Sequence, residues 1–344
     1  MHILMLSIDK GLLGKNQLGD VISRHKKYGK FCERLDIIVF NKKESKINKI
    51  SDKVSVYPTN SKSKLLYYFN GLKLAKNLFN LNSYDLIVCQ EPFLTGLIGY
   101  KLKKKFQTKL LVHFHGDYNL PFKKVIHSAD GIRVMSTGQK NKLIQKGIDE
   151  NKIRIISTPI NLDKFLNYTG DKTIVPGKIL FVGRLEPVKN LIKFLNIYKE
   201  IKSKKTTAQL TIIGTGSLAQ RLKSKADDSV QFLGQLPQVE IISHYYNSSL
   251  VILPSKSESF GKVLVEANAC GKPVVTTPTT GASEIIQNGY NGFLTPLNKM
   301  ADKILELLNN PKLTQQMGEN GKKLVQEKYS DNTSQIIQFW QDLI

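Results

Sequence analysis

Residues 257–275 read SESFGKVLVEANACGKPVV. Two glutamates, Glu258 and Glu266, bracket a Phe260-Gly261 pair, and Gly271-Lys272-Pro273 leads into a second apolar run. With "SLVILPS" (249–255) in front, the order is buried strand, loop, helix, buried strand. The first strand stops at Pro254, and the spacing predicts a helix from about Gly261-Lys262. Gly261 lets backbone come close to a ligand, and the free amides of a first helical turn favour an anion. A glutamate cannot bind that anion. Glu258 lies in the loop, and Glu266 lies about five residues into the helix, roughly 7.5 Å along its axis. The carboxylates therefore flank an anion position without filling it. Each is a bidentate acceptor suited to vicinal hydroxyls. One diol on either side of a diphosphate satisfies the layout. The competing reading is a helix carboxylate stabilised by the dipole beside an exposed loop glutamate.

The rest of the chain extends the same pattern. Short apolar runs at 2–7, 35–40, 85–89, 109–114, 131–135 and 153–156 alternate with amphipathic stretches such as 64–80 and 138–147. A polar break, "LNYTGDKTIVPG" (166–177), reads as a linker. The alternation then restarts with 178–185, 208–216, 230–236, 249–255 and 272–277. Two doubly wound parallel α/β units are expected, residues 1–170 and 171–328. A terminal segment, 329–344, opens with Ser330 and Asp331 as cap candidates. It carries Ile336, Ile337, Phe339, Trp340 and Leu343 at helical spacing. In such sheets ligands bind at the carboxyl ends of strands, so the loops that follow strands hold the candidates.

Composition narrows the class. The chain has 344 residues, 41% hydrophobic and 23% charged, as in a soluble globular protein. No run reaches the ~18 apolar residues that span a bilayer. The opening "MHILMLSIDKGLLG" lacks the basic lead and cleavage site of a signal peptide and reads as a first buried strand. Three scattered cysteines, without a CxxC, exclude a disulfide framework or zinc site and suit a reducing cytoplasm. The net charge is +23, and it is uneven: residues 1–170 hold 30 Lys and Arg against 13 Asp and Glu, or +17. Residues 171–344 hold 21 against 15, or +6. Such a surface attracts phosphates, on nucleic acid, lipid or nucleotide, or is a solvated lysine-rich face. "KLKKKF" (101–106) and "KLLYYFNGLKLAKNLF" (64–79) make an anionic membrane surface the sharper reading.

Two further loops suit phosphate. Gly183 ends strand 178–183, Arg184 follows, and Lys189 begins the next helix; a forked guanidinium and a point charge fit a diphosphate. "IIGTGSLA" supplies Gly214-x-Gly216-x-x-Ala219. The next strand, ending at Gly234-Gln235, carries no acidic residue, so this is a tight strand-to-helix turn and not a dinucleotide site.

At these residues the chain resembles the retaining GT-B glycosyltransferases of family 4. "PSKSESFGKVLVEANACGKPVV" is similar to that family's E-x-F-G-x-x-x-x-E signature and its frame. "FVGRLEPVKN" and "VTTPTTGASEIIQNGYNGFL" resemble its phosphate-binding and closing segments. The resemblance implies a GT-B fold: two Rossmann-like domains facing across a cleft, the first (1–170) acceptor-binding and the second (171–328) nucleotide-sugar-binding, with the C-terminal helix crossing back to the first.

It also implies roles for residues. Arg184 and Lys189 hold the donor diphosphate, with Gly183 beside them. Amides at Ser259, Phe260, Gly261, Lys262 and Val263 contact diphosphate and sugar, Glu266 takes the ribose hydroxyls, and Glu258 sits by the sugar. The base lies near Gly234 and Leu236. In the first domain "VHFHGDY", with His115-Gly116, looks like the H-G motif and places His115 near donor sugar and acceptor, while His113 is expected to point away. "GLLGK" (11–15) stands for the glycine-rich loop and puts Gly14 by the donor. "ISTPINLDKF" departs from P-N-G-V-D at Thr158 and Pro159.

The implied reaction moves a hexose or N-acetylhexosamine from a nucleotide-sugar, UDP-linked by expectation, onto a lipid-linked or oligosaccharide acceptor. It would do so with retention and without a metal or cofactor; no Asp-x-Asp occurs. The expected setting is cell-surface polysaccharide assembly, in the cytoplasm and peripheral at the inner face of the plasma membrane. Rival readings are a nucleotide-sugar-binding protein or epimerase on the same fold, and a basic nucleic-acid-binding protein. No nucleic-acid module is recognisable, so nucleic acid is not an expected partner.

Overall fold

The structure is a computed structural model that describes residues 1–14, 21–42, 44–115, 123–158, 160–329 and 332–344. Lys15, Gly116, Pro159, Ser330 and Asp331, which carry parts of the motifs above, lie outside the described residues. The chain separates into two compact units, Met1–Pro159 with Asn332–Ile344, and Ile160–Asp331.

The first unit is built on β1 (His2–Ser7), β2 (Arg34–Val39), β3 (Asn48–Ser51), β4 (Val54–Pro58), β5 (Leu86–Cys89), β6 (Lys109–Phe114), β7 (Gly131–Val134) and β8 (Ile153–Ile155). Their order is β3-β4-β2-β1-β5-β6-β7-β8. Every neighbouring pair is parallel except β3–β4. Alternate side chains leave a strand on opposite faces. Ile3 and Met5 of β1 accordingly join one buried layer and Leu4 and Leu6 another. Both faces are covered, which is why these strands read as unbroken apolar runs. The layer around Ile3 and Met5 is closed by helix Thr333–Gln341, whose Ile336, Ile337, Phe339 and Trp340 are buried. Trp340 meets Tyr28 edge-on at 5.4 Å.

The second unit holds β9 (Lys178–Val182), β10 (Gln209–Ile213), β11 (Val230–Gly234), β12 (Leu250–Leu253), β13 (Val274–Thr276) and β14 (Gly292–Leu294). All are parallel, in the order β11-β10-β9-β12-β13-β14. The direction of winding reverses between β9 and β12. Loops that leave the carboxyl ends of these two strands therefore lie side by side, at the point where open α/β sheets take ligands. They are joined there: Lys256 N donates to Val188 O at 2.8 Å.

Both boundaries differ from expectation. The second unit begins at Ile160, not near 171, because Phe165 is buried against the Tyr245 ring and its carbonyl accepts from Tyr246 Oη at 2.6 Å. The polar stretch read as a linker is also tied to this unit: Asn247 Nδ2 donates to Thr173 O at 2.7 Å. At the far end Tyr329 stays with the second unit, its hydroxyl donating to Glu284 O at 3.1 Å, and the first unit resumes at Asn332.

The glycines after β10 act as the turn they were read to be. Gly183 N bonds Ile213 O at 3.0 Å and Leu185 N bonds Thr215 O at 2.9 Å, which zips the loop after β9 to the loop after β10. Gly214 has φ +136°, and a Cβ there would land on the Gly183 carbonyl oxygen. Gly214→Ala is expected to cost at least about 1–3 kcal/mol from backbone strain alone, more once the clash displaces the Gly183 loop. Urea unfolding measures this, and an unchanged midpoint would refute the packing role.

Candidate active site

The carboxyl edge of the second sheet gathers most of the predicted residues. Gly183 and the exposed Arg184 follow β9, and Lys189 closes a short 3-10 turn, Pro187–Lys189. Across the switch point, Ser255–Phe260 follow β12, and Gly261 caps a helix that runs Lys262–Ala269. Gly261 has φ +82°, a left-handed conformation that a side chain would strain. The helix start is where the sequence placed it. Ser259, Lys262 and Val263 are half-buried at that start, and Phe260 is buried with its ring against Tyr329.

The two acids are held differently. Glu258 and Lys189, assigned to different subsites, form an ion pair through Glu258 Oε1. Ser255 Oγ donates to the same oxygen at 2.6 Å, and Glu258 O accepts from Gly281 N at 2.7 Å. Oε2 carries none of these bonds. Glu266 is buried on the helix and accepts from Tyr245 Oη at 2.9 Å, with Lys262 Nζ 3.8 Å from its other oxygen. Burial, reinforced by the Glu266 charge, pushes the Tyr245 phenol well above its ordinary range, so it remains a donor. Gly234 ends β11, two strands from β9, and its carbonyl accepts from Gly214 N at 2.6 Å; Leu236 follows half-buried.

His115 and Gly14 belong to the first unit. Gly14 caps a 3-10 turn, Lys10–Leu13, in a left-handed conformation. His115 follows β6 at the carboxyl edge, its Nε2 3.3 Å from Gln90 Oε1. His113 does not point away from it. The two rings stand edge-to-face with centroids 5.5 Å apart and line one cavity of about 400 Å³. The reason is the period of a strand: residues two apart share a face. Burial first, then the Arg133 and Arg24 charges, pull the His115 imidazole down to about 3. It is neutral at physiological pH and can exchange a hydrogen bond but carries no charge.

Sequence reasoning missed Ser255, Tyr245, Gln90 and Arg133. Ser255 could have been suspected beside Glu258. The others lie on separate elements and enter their sites only through the fold.

Comparison with known proteins follows the same division. Residues 174–324 match the family described as Glycosyl transferases group 1, and residues 33–164 match Glycosyltransferase Family 4. An uncharacterised glycosyltransferase of Methanocaldococcus jannaschii is 32% identical over 270 residues, 74% of each chain. The chain belongs to the family 4 GT-B glycosyltransferases. A capsular polysaccharide biosynthesis glycosyltransferase of Staphylococcus aureus, CapM, is 32% identical over 237 residues, 62% of this chain and 60% of its own. The GT-B fold is shared with the Anabaena protein HepE, solved in complex with UDP and glucose. That match has a TM-score of 0.77 at 18% identity and covers 99% of this chain and 98% of that one.

For this glycosyltransferase the neutral His115 has a measurable consequence. Its folded value, about 3, lies below the ordinary 6.5. Between those values the unfolded chain binds a proton that the folded chain refuses, so stability falls as pH drops from about 6.5 toward 3. The His115 ring resonances are expected to stay fixed from pH 8 to pH 5 in an NMR titration. A step near 6.5 would show that the charged form is accepted.

Proposed function

We propose that this glycosyltransferase transfers a hexose or N-acetylhexosamine from a nucleotide-diphosphate sugar, UDP-linked, to a saccharide acceptor in cell-surface polysaccharide assembly. The observation that carries the reading is the cluster at the β9–β12 switch point. Arg184, Lys189 and the amides at the start of helix Lys262–Ala269 form the phosphate side of the cluster, with Glu258 paired to Lys189 and Glu266 further along the helix. A diphosphate fits that side, a ribose fits Glu266, and a sugar hydroxyl fits Glu258 Oε2. The S. aureus relative's name supports the polysaccharide setting, and the ligands bound to HepE support UDP.

Retention follows from one-sided chemistry. The bond from the anomeric carbon to the diphosphate oxygen breaks, and a bond to the acceptor oxygen forms on the same face. The acceptor's proton passes to the departing phosphate oxygen. Arg184, Lys189 and the helix amides stabilise the charge that develops there, which requires no metal. Lys189 enters this step already fixed by Glu258, so little rotamer freedom is lost when it turns to phosphate.

The acceptor is read as lipid-linked, with the chain peripheral at the inner face of the plasma membrane. No helix among the described residues is long and apolar enough to cross a membrane. Leu65 and Phe69, 87% and 65% exposed, share a face with Lys73 at four-residue spacing, and Lys62 and Lys64 adjoin them. Lys103 is withdrawn from the basic run: its Nζ bonds Asp130 at 2.7 Å and Ser128 O at 2.6 Å. Lys101, Lys104 and Lys105 remain exposed. Each cation near an anionic surface is worth about 1 kcal/mol.

Screening nucleotide-sugars for thermal shift and slow hydrolysis identifies the donor. With that donor, Glu266→Ala is expected to weaken binding by about tenfold to a hundredfold, as for a lost charged hydrogen bond. Glu258→Ala should abolish transfer with donor still bound. Unchanged transfer in either variant removes that residue's role, and donor turnover without transfer to any saccharide would favour an epimerase. Vesicle flotation tests the surface: Leu65→Ser with Phe69→Ser should reduce binding to phosphatidylglycerol vesicles, while Lys103→Gln alone should not. Equal flotation with neutral vesicles would discard the electrostatic reading.

A further inference from the structure

The cavity beneath His115 contains more cationic and hydrogen-bonding chemistry than the donor reading uses. It lies wholly within the first unit and encloses about 400 Å³. Two of its lining side chains are buried without a partner among the described residues. His113, 2% exposed, has no hydrogen-bond partner there on either ring nitrogen, and Trp340, fully buried, has none on Nε1. A buried donor without a partner costs about 1–3 kcal/mol, so polar groups left in this state around one cavity point to something that fills it.

The charges around the cavity select the kind of occupant. Arg133 is buried beneath the histidines and spends Nε and one terminal nitrogen on the carbonyls of Ile156 and Ser157, at 2.9 and 2.6 Å. Arg24 contributes a second guanidinium from helix Val21–Gly29. The two acids on the lining are engaged elsewhere. Glu91 accepts from the amides of Phe93 and Thr95, at 2.6 and 2.7 Å, at the head of helix Leu94–Phe106. Asp9 is exposed and accepts from Gly11 N at 2.9 Å. Among the charges that act on His113, the arginines and neighbouring imidazoles all disfavour a further positive charge there.

We propose that the first unit's cavity is an oxyanion site, in which His113, Trp340 and Arg24, over a floor set by Arg133, hold a phosphate or carboxylate borne by the acceptor saccharide. The site rests on the reading of the first unit as the acceptor-binding one. It restricts that acceptor to charged saccharides: sugar phosphates, including those attached to a lipid through phosphate, or uronic acids. A neutral imidazole donates through one nitrogen, the indole donates through its only N–H, and the guanidinium supplies charge without proton exchange.

Trp340 is the chain's only tryptophan, so its emission reports this cavity directly. The full chain, free of donor, is titrated with inorganic phosphate, glucose 1-phosphate, glucuronate and glucose. Saturable change with phosphate and with one or both charged sugars, and none with glucose, is the expected result. The phosphate and carboxylate arms tell the two sources apart. Arg24→Gln and His113→Leu should each weaken binding about tenfold or more, the loss of one charged or buried hydrogen bond. Should His113→Leu not fold by circular dichroism, the half-exposed Arg24→Gln decides the matter alone. No saturable change with any anion, an equal response to glucose, or unaltered affinity in the folded variants overturns the site. Anion binding without any sugar transfer leaves the site standing and removes the acceptor reading, whereas transfer without anion binding removes the site only.

Discussion

The Lys189–Glu258 ion pair is the interaction on which the carboxyl edge of the second sheet depends. It joins the loop after β9 to the loop after β12 at the one place where the winding of the second sheet reverses. Each partner is only slightly exposed, and a buried charge with its partner removed is costly. Lys189 and Glu258 therefore keep each other in place. The lysine is held with its rotamer already chosen, and the carboxylate keeps an oxygen outside the pair. The acid in this loop is thus a positioning device for the lysine.

The surrounding backbone serves the same geometry. Hydrogen bonds from Gly183 and Leu185 to Ile213 and Thr215 draw the loops after β9 and β10 together, and only glycine at 214 allows the approach. Gly261 turns the chain into helix Lys262–Ala269 so that its first amides stand at the strand end. From there Glu266 is one turn further in, where Tyr245 orients it. Arg184 stands exposed beside this frame.

The first unit works by the opposite electrostatics. Its histidines are buried among arginines and stay neutral, so the cavity combines fixed guanidinium charge with uncharged donors. Part of its wall comes from helix Thr333–Gln341: Trp340 packs edge-on against Tyr28 and lines the cavity with it. Stability of the unit and composition of its site are therefore coupled through one side chain.

Sequence alone determined the alternation of strands and helices, the two-unit plan, the helix start at Gly261–Lys262 and which residues gather at the carboxyl edge of the second sheet. These rest on local signals: apolar runs buried on both faces, turn glycines, and charges placed directly after strands. It missed β3, β4 and β14, whose short strands carry little apolar signal, and it set the unit boundaries about ten residues late and three residues early. Packing and hydrogen bonding decide those limits, through Phe165 against Tyr245 and the Tyr329 hydroxyl on the Glu284 carbonyl. Only the tertiary structure decided that Lys189 pairs with Glu258, that Tyr245 supports Glu266, and that His113, Arg133 and Trp340 meet in one cavity. Such groups stand 20 to more than 200 residues apart, and nothing in a local pattern encodes which strand ends become neighbours when a sheet reverses its winding.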